Sequence, residues 1–384
     1  MERMYETILF DVDGVFLSED RYFDASALTI WELLYSENYL GLSQEEFNTS
    51  YDDEAIRGIR ECIFKKDQIL KEYKSRGLNA NWDMIYITFS YHLVELMAQI
   101  KDKETNKIEK WLENEIDYTT LEEMKQVFAV HSCKPNYDAV LHRVKNLKEI
   151  GKALILEINK QAEEELGVKT SIFKSKSKLW SICEHISQEW YVGDEWVLTS
   201  TGRPAVQTGK QGFLNDEKTL GSPEDIQNLL RFVRESGINV GIGTGRPQLE
   251  TLKPFQHLNW IEFFDTNHIV TADEVLFAEK EFPESPSLSK PHPFSYLFAW
   301  AGKDTALESI LKWGLPVQNG EKILVVGDSL ADLFAARKMG CRFAAVLTGL
   351  SGKSARAEFE MHQADYILDS ILDLKELLTA RLFS

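Results

Sequence analysis

Thr7-Ile8-Leu9-Phe10-Asp11-Val12-Asp13-Gly14-Val15-Phe16 is the stretch whose reading decides the fold. A short apolar run that ends in a turn residue reads as a buried strand. Here the run is Ile8 to Phe10, and two carboxylates and a glycine end it. A charge in a sheet interior needs a partner, so the strand stops at Phe10. Asp11 and Asp13 emerge at its carboxyl end and point the same way, because strand side chains alternate with period two. Two like charges at that spacing repel unless a cation or a shared proton lies between them. A hard dication with oxygen ligands, such as magnesium, answers that need. An Asp-x-Asp calcium loop does not fit, since such a loop needs Gly at its sixth position and an acid at its twelfth. Counted from Asp11, Gly14 comes too early and Tyr22 holds the last place.

Around that stretch the chain has 384 residues, enough for two domains, and a hydrophobic content of 43% with 21 Phe and 9 Trp, enough for a sizeable core. The net charge of -18 argues against nucleic acid and anionic membrane as general partners. It also means that an anionic substrate must be received by a local exception to the global field. Cys62, Cys133, Cys183 and Cys341 are far apart and form no C-x-x-C, which points to a reduced, cytoplasmic protein without a structural zinc. The opening residues lack the apolar region of a signal peptide. The most apolar window, Met84 to Ile100, holds His92 and Glu95 and is too short and polar to span a bilayer.

From residue 18 to about 190 the pattern is helix after helix: Asp24 to Ser36, Asp52 to Phe64, Trp82 to Lys101, Thr105 to Glu115, Thr120 to His131, Asn136 to Ile150, Lys152 to Leu166 and Lys174 to Trp190. Thr120 with Glu123 reads as a capping box. Residues 191–221 are rich in glycine and read as a loop or hairpin return. Then the texture alternates. A helix starts at Ser222-Pro223-Glu224, a strand covers Ile238 to Ile242, and Gly243-Thr244-Gly245-Arg246-Pro247 follows. Helices, a strand Lys322 to Val326 ending in Gly327-Asp328-Ser329-Leu330-Ala331-Asp332, a strand Arg342 to Leu347, a short strand Tyr366 to Leu368 and a closing helix complete the chain. Such alternation predicts an α/β core, a doubly wound parallel sheet. It spans residues 1–17 and 222–384, and an all-helical domain, 18–221, is inserted after its first strand.

In open α/β sheets ligands bind at the carboxyl ends of the strands. The polar residues there are Asp11 and Asp13, Thr244 with Gly245, and Asp328 with Asp332, and Lys290 lies between the last two groups. Carboxylates can hold magnesium, and a hydroxyl, amides and an ammonium can hold phosphate. A carboxylate beside the metal can attack phosphorus.

These four groups, in this order, resemble the motifs of the haloacid dehalogenase superfamily of phosphohydrolases. Asp11-Val12-Asp13-Gly14-Val15 is similar to its first motif, Thr244 after Val240-Gly241-Ile242-Gly243 to its second, Lys290 in Lys290-Pro291-His292-Pro293 to its third, and Gly327 to Asp332 to its fourth. The tail, Ala345-Val346-Leu347-Thr348-Gly349 to Ala364-Asp365-Tyr366-Ile367, is similar to the phosphoglycolate phosphatase branch. The resemblance covers residues 5 to 17 and about 222 to 380. It implies a nucleophile and metal ligand in Asp11, and a general acid and then base in Asp13, whose backbone carbonyl also meets the metal. It implies phosphoryl binding by Thr244 and the Gly245 amide, charge neutralisation by Lys290, a metal ligand in Asp328, and an orienting role for Asp332. An acid at position 13 favours phosphatase or phosphomutase over dehalogenase chemistry. The implied activity is magnesium-dependent hydrolysis of a small phosphorylated metabolite through an aspartyl-phosphate. A phosphomutase, or a phospho-ligand-binding scaffold without catalysis, would use the same residues.

The insertion lies where helical caps of that superfamily lie, but is far larger than usual. Arg21-Tyr22-Phe23 leaves the site directly and is a candidate for substrate contact. Thr201-Gly202-Arg203-Pro204 repeats Thr244-Gly245-Arg246-Pro247 letter for letter and competes for the phosphate motif, but lacks the helix-strand frame before it. A dinucleotide loop at Gly241 to Gly245 fails because the last glycine of its fingerprint would fall on Arg246. Lys174-Ser175-Lys176-Ser177-Lys178 reads as a solvated charge run.

Overall fold

A computed structural model describes residues 4–78 and 80–382. Six parallel strands form one sheet: β1 (Thr7–Phe10), β2 (Asn239–Gly243), β3 (Ile269–Val270), β4 (Ile323–Gly327), β5 (Arg342–Val346) and β6 (Tyr366–Leu368). Their order is β3-β2-β1-β4-β5-β6, so the winding reverses between β1 and β4. That reversal opens the crevice in which doubly wound sheets take ligands.

Both faces of the sheet are covered, which explains the unbroken apolar run in β1. Ile8 and Phe10 pack with Val240, Ile242, Leu324 and Val326 on one face. Leu9 packs with Val325, Phe343 and Ala345 on the other. The register pairs Phe10 with Ile242 and with Val326, which brings Asp11, Gly243 and Gly327 to one edge.

The chain divides into two compact units: one runs up to Glu19 and resumes at Leu214, and the other is Asp20–Phe213. Of the expected return, residues 214–221 therefore belong with the sheet and 191–213 with the helical unit. Leu17 bridges Thr219 in antiparallel fashion, and the Ser18 amide donates to the Lys218 carbonyl at 2.8 Å.

Helices are the only regular elements among the described residues of the second unit. Its helix Asn81–Ala98 is buried on nearly every side, and the long helix Lys178–Thr201 packs with Asp20–Tyr35. That long helix corrects the expected loop over 191–221, since helix continues to Thr201 across a break at Gly193, whose φ is 75°. Trp196-Val197-Leu198 lies within this helix. Asp117, not Thr120, caps the helix Tyr118–Val130, accepting the Thr120 amide. The helix Gln68–Ser75 has no counterpart in the sequence reading; its N-cap, Asp67, stands at φ 61° with no side-chain cap, so no cap pattern announces it.

A buried ion network ties this unit together. The fully buried Lys210 ammonium donates to Glu32 Oε1 at 3.0 Å and pairs with Glu189. Trp190 Nε1 donates to Glu32 Oε2 at 2.7 Å. Arg21, Tyr22 and Phe23, expected near substrate, are engaged inside this unit. Arg21 pairs with Asp24 and Asp53, Tyr22 stacks on Tyr191, and Phe23 lies under Arg60.

Candidate active site

β1 delivers Asp11. Its amide continues the ladder to the Val326 carbonyl at 2.9 Å, and its Oδ1 accepts the Val12 amide at 2.8 Å. Lys290 Nζ lies 3.0 Å from Asp11 Oδ1 and 2.8 Å from Asp332 Oδ1, so one ammonium joins the ends of β1 and β4. Two other lysines of the segment between Thr244 and Asp328 lie elsewhere. Lys303 bonds Glu274 at 3.2 Å, and Lys280 is exposed on the helix Ala272–Glu281.

Asp332 is fully buried in the first turn of the helix Leu330–Met339. It closes a capping box with Ser329, whose Oγ donates to Asp332 Oδ2 at 2.6 Å. One oxygen thus caps the helix while the other faces Lys290.

Asp11, Asp328 and Asp332 each offer an oxygen within 4.8 Å of the others. Burial pushes the Asp11 carboxyl up to about 6, with Lys290 pulling the other way. Burial, then Asp332, Asp11 and Glu19, push Asp328 well above the carboxylate range. Asp332 is driven below it: burial opposes ionisation, but Lys290, Ser329 and Tyr296 outweigh burial. Burial likewise works against the Lys290 charge, yet Asp11 and Asp332 hold its pKa up. Three carboxylates of hard oxygen around a single ammonium leave negative charge in excess, and a divalent cation is the complement such a donor set accepts.

β2 delivers Thr244, buried, with its amide bonded to the Val270 carbonyl at 3.0 Å. Its Oγ1 accepts the Arg246 amide at 3.2 Å rather than capping the helix Gln248–His257, whose N-cap is Pro247. Gly245 is exposed, with open space where a Cβ would stand. The repeated Thr-Gly-Arg-Pro at 201–204 has no such setting. Thr201 is the last residue of its helix, Gly202 is the left-handed cap at φ 70°, and the Pro204 carbonyl meets His185 Nε2 at 3.0 Å.

Asp13 turns elsewhere. Its Oδ1 takes Arg246 Nη2 at 2.6 Å and Nε at 3.1 Å, and Arg246 Nη1 reaches Glu217 Oε1 at 2.6 Å. Of the expected site residues, then, Asp11, Asp328, Asp332 and Lys290 form one cluster. The Asp13 carboxylate lies on Arg246, and Thr244 and Gly245 stand at the end of the neighbouring strand.

Sequence reasoning did not find Tyr296. Its hydroxyl accepts from Lys290 Nζ at 3.0 Å and donates to Asp332 Oδ1 at 2.8 Å, and its ring lies 4.6 Å beneath the ammonium. In the apolar run Phe294-Ser295-Tyr296-Leu297-Phe298 a tyrosine looks like core, and nothing local distinguishes it. Gly14 and Gly349 were also missed as walls of the site. A Cβ on either would fall 2.2 or 1.9 Å from Asp328 Oδ2.

A family model described as HAD-hydrolase-like matches residues 287–374, which include Lys290, Asp328 and Asp332. An X-ray structure determined by the Northeast Structural Genomics Consortium shares 36% identity, covers 98% of this chain and 99% of its own, and superposes with a TM-score of 0.89. This chain belongs to the haloacid dehalogenase-like hydrolases. That coverage takes in the large helical insertion. Two further solved structures are far less similar. A Clostridium difficile protein assigned as a phosphatase has 12% identity and a TM-score of 0.44, over 98% of this chain and 100% of its own. CbbY from Rhodobacter sphaeroides, in complex with phosphate, has 14% and 0.40, over 97% and 96%. At that level nothing about the chemistry of this hydrolase transfers. Comparison with curated proteins finds no match.

Proposed function

We propose that this hydrolase is a magnesium-dependent phosphatase that cleaves a small phosphorylated metabolite through an aspartyl-phosphate. The observation that carries the reading is the Lys290 ammonium bridging Asp11 and Asp332 at the strand ends where the sheet order reverses. Phosphoryl transfer is chiefly positioning and charge neutralisation, and this cluster supplies both. Asp11 and Asp328, with the Asp13 backbone carbonyl, would hold the cation, which would draw charge from the phosphoryl oxygens, and Asp332 would orient the site from behind. Asp11 would be the nucleophile. Lys290 would keep its carboxylate oriented, and Asp332 would keep Lys290 in place. Thr244 and the Gly245 amide would receive phosphoryl oxygens. Asp13 would give a proton to the departing alcohol and later accept one from water. Four free cysteines, three of them buried, favour a reducing, cytoplasmic setting.

Asp11→Asn is expected to abolish p-nitrophenyl phosphate turnover measured with magnesium while leaving the fold intact. Wild-type protein inert with magnesium across a broad phosphoester panel would refute the proposal. A requirement for a bisphosphate activator would indicate a mutase.

A further inference from the structure

We infer that Arg246 is the residue that aims Asp13, and that Glu217 holds Arg246 from behind. The inference rests on the phosphatase reading above and deepens it.

Arg246 is an unusual place to spend a guanidinium. Its side chain is fully buried, and burying an unpaired cation costs several kcal/mol. It is paired on two sides. Nε and Nη2 converge on Asp13 Oδ1 at 3.1 and 2.6 Å. Nη1 meets Glu217 Oε1 at 2.6 Å and the Glu250 carbonyl at 3.1 Å. The two carboxylates are unlike: the Glu217 side chain is 1% exposed and that of Asp13 is 28% exposed. A pair serving stability alone would bury both ends. This one runs from a rigid, sealed carboxylate to one that meets solvent at the end of β1.

The backbone of Arg246 is fixed as well. Its amide donates to Thr244 Oγ1 at 3.2 Å, and its carbonyl accepts the Ala272 amide at 3.0 Å. One residue therefore sets the direction of both Asp13 and the Thr244 hydroxyl. The planar fork suits this, because two donors on one oxygen fix where the carboxylate faces, whereas a single ammonium would let it swing. Glu217 arrives with the return segment, which is paired beside the residues that follow Asp13. The Leu220 amide donates to the Phe16 carbonyl at 2.9 Å.

The step that depends on this aim is departure of the leaving group. An Asp11 oxygen bonds phosphorus as the ester P–O bond breaks. The bonding pair stays on the ester oxygen, which takes a proton from Asp13 and leaves as the alcohol. A stable phenolate needs that proton little, and an alkoxide needs it greatly.

The test compares kcat/KM for p-nitrophenyl, phenyl and benzyl phosphates in wild type, Arg246→Gln, Arg246→Lys and Glu217→Gln, with folding checked by cooperative urea unfolding. A misaimed general acid should lower kcat/KM for benzyl phosphate roughly 100-fold and for p-nitrophenyl phosphate no more than about fivefold. Glu217→Gln should show the same selectivity, with benzyl phosphate losing about tenfold more than p-nitrophenyl phosphate. If the Arg246 variants do not fold, the near-isosteric Glu217→Gln decides. Equal losses across the series, or none, overturn the inference while leaving the phosphatase reading intact. A wild type that turns over p-nitrophenyl phosphate alone overturns it too, since no general acid is then at work. Wild type inert with every phosphoester refutes the phosphatase reading itself.

Discussion

Gly349→Ala is the substitution that separates the cation site from the rest of the molecule. A methyl on Gly349 would stand 1.9 Å from Asp328 Oδ2 and 2.8 Å from its Cγ. Carbon and oxygen in ordinary contact lie about 3.4 Å apart, so Oδ2 must retreat by about 1.5 Å. Asp328 then leaves the cluster it forms with Asp11 and Asp332. Disturbing a partner that merely supports a metal ligand already costs 10–100-fold in affinity, so displacing a ligand should cost about 100-fold or more. Stability without metal should fall by about 1–3 kcal/mol, the ordinary cost of overpacking a buried site. Calorimetric titration of magnesium into metal-free protein measures the first quantity and urea unfolding the second. Gly245→Ala is the control: no atom lies within 4 Å of the added methyl, and the amide is kept. Unchanged magnesium affinity in Gly349→Ala, or an equal loss in Gly245→Ala, would refute the reasoning.

Tyr296→Phe removes a buried hydroxyl that bonds both Lys290 and Asp332. Hydrogen bonds to charged groups contribute about 1.5–3 kcal/mol, so unfolding free energy should fall by about that much and kcat by about tenfold, read from urea melts and steady-state turnover. Glu32→Gln should change how stability depends on pH. Burial lifts the Glu32 carboxyl from 4.5 to about 7, with Lys210 opposing. A raised carboxyl favours the folded state below its unfolded value, and that stability is lost as pH climbs through about 7. At ~1.4 kcal/mol per pKa unit, the variant should gain up to roughly 3 kcal/mol on wild type between about pH 5 and about pH 8. Urea unfolding followed by tryptophan fluorescence measures this, and a pH-independent difference would show the lift to be absent.

What the sequence could reveal depended on whether the cause was local. β1 was legible because a strand covered on both faces must be apolar at every position, and Ile8, Leu9 and Phe10 are fully buried. The strand-end acids were legible because burial forbids them any earlier in the strand. Strand order was not, since nothing in β2 or β4 records which edge of β1 it joins. Lys290 was legible through its likeness to a known motif, and the ammonium stands between Asp11 and Asp332. The Asp13–Arg246 contact joins residues 233 apart and leaves no local pattern. Over 191–201, glycine texture misled: Gly193 breaks the helix at φ 75°, yet the chain resumes helix beyond it because packing outweighs one residue's propensity.

The charges around the site bear on how an anion enters it at all. Asp11, Asp328 and Asp332 surround Lys290, and Asp13 and Glu217 share Arg246. Both cations are already committed to carboxylates, so neither offers net attraction to a phosphate dianion. Each unpaired like-charge contact at 4 Å would repel it by about 4 kcal/mol at an effective dielectric constant near 20. On this accounting the divalent cation is needed for binding, before any chemistry. Inorganic phosphate should therefore shift the melting temperature only when magnesium is present, and magnesium should shift it with or without phosphate. Thermal melts in the four combinations decide. Phosphate stabilising the metal-free protein as strongly as the loaded one would mean that Lys290 or the Gly245 amide receives the anion unaided, and the charge argument would fail.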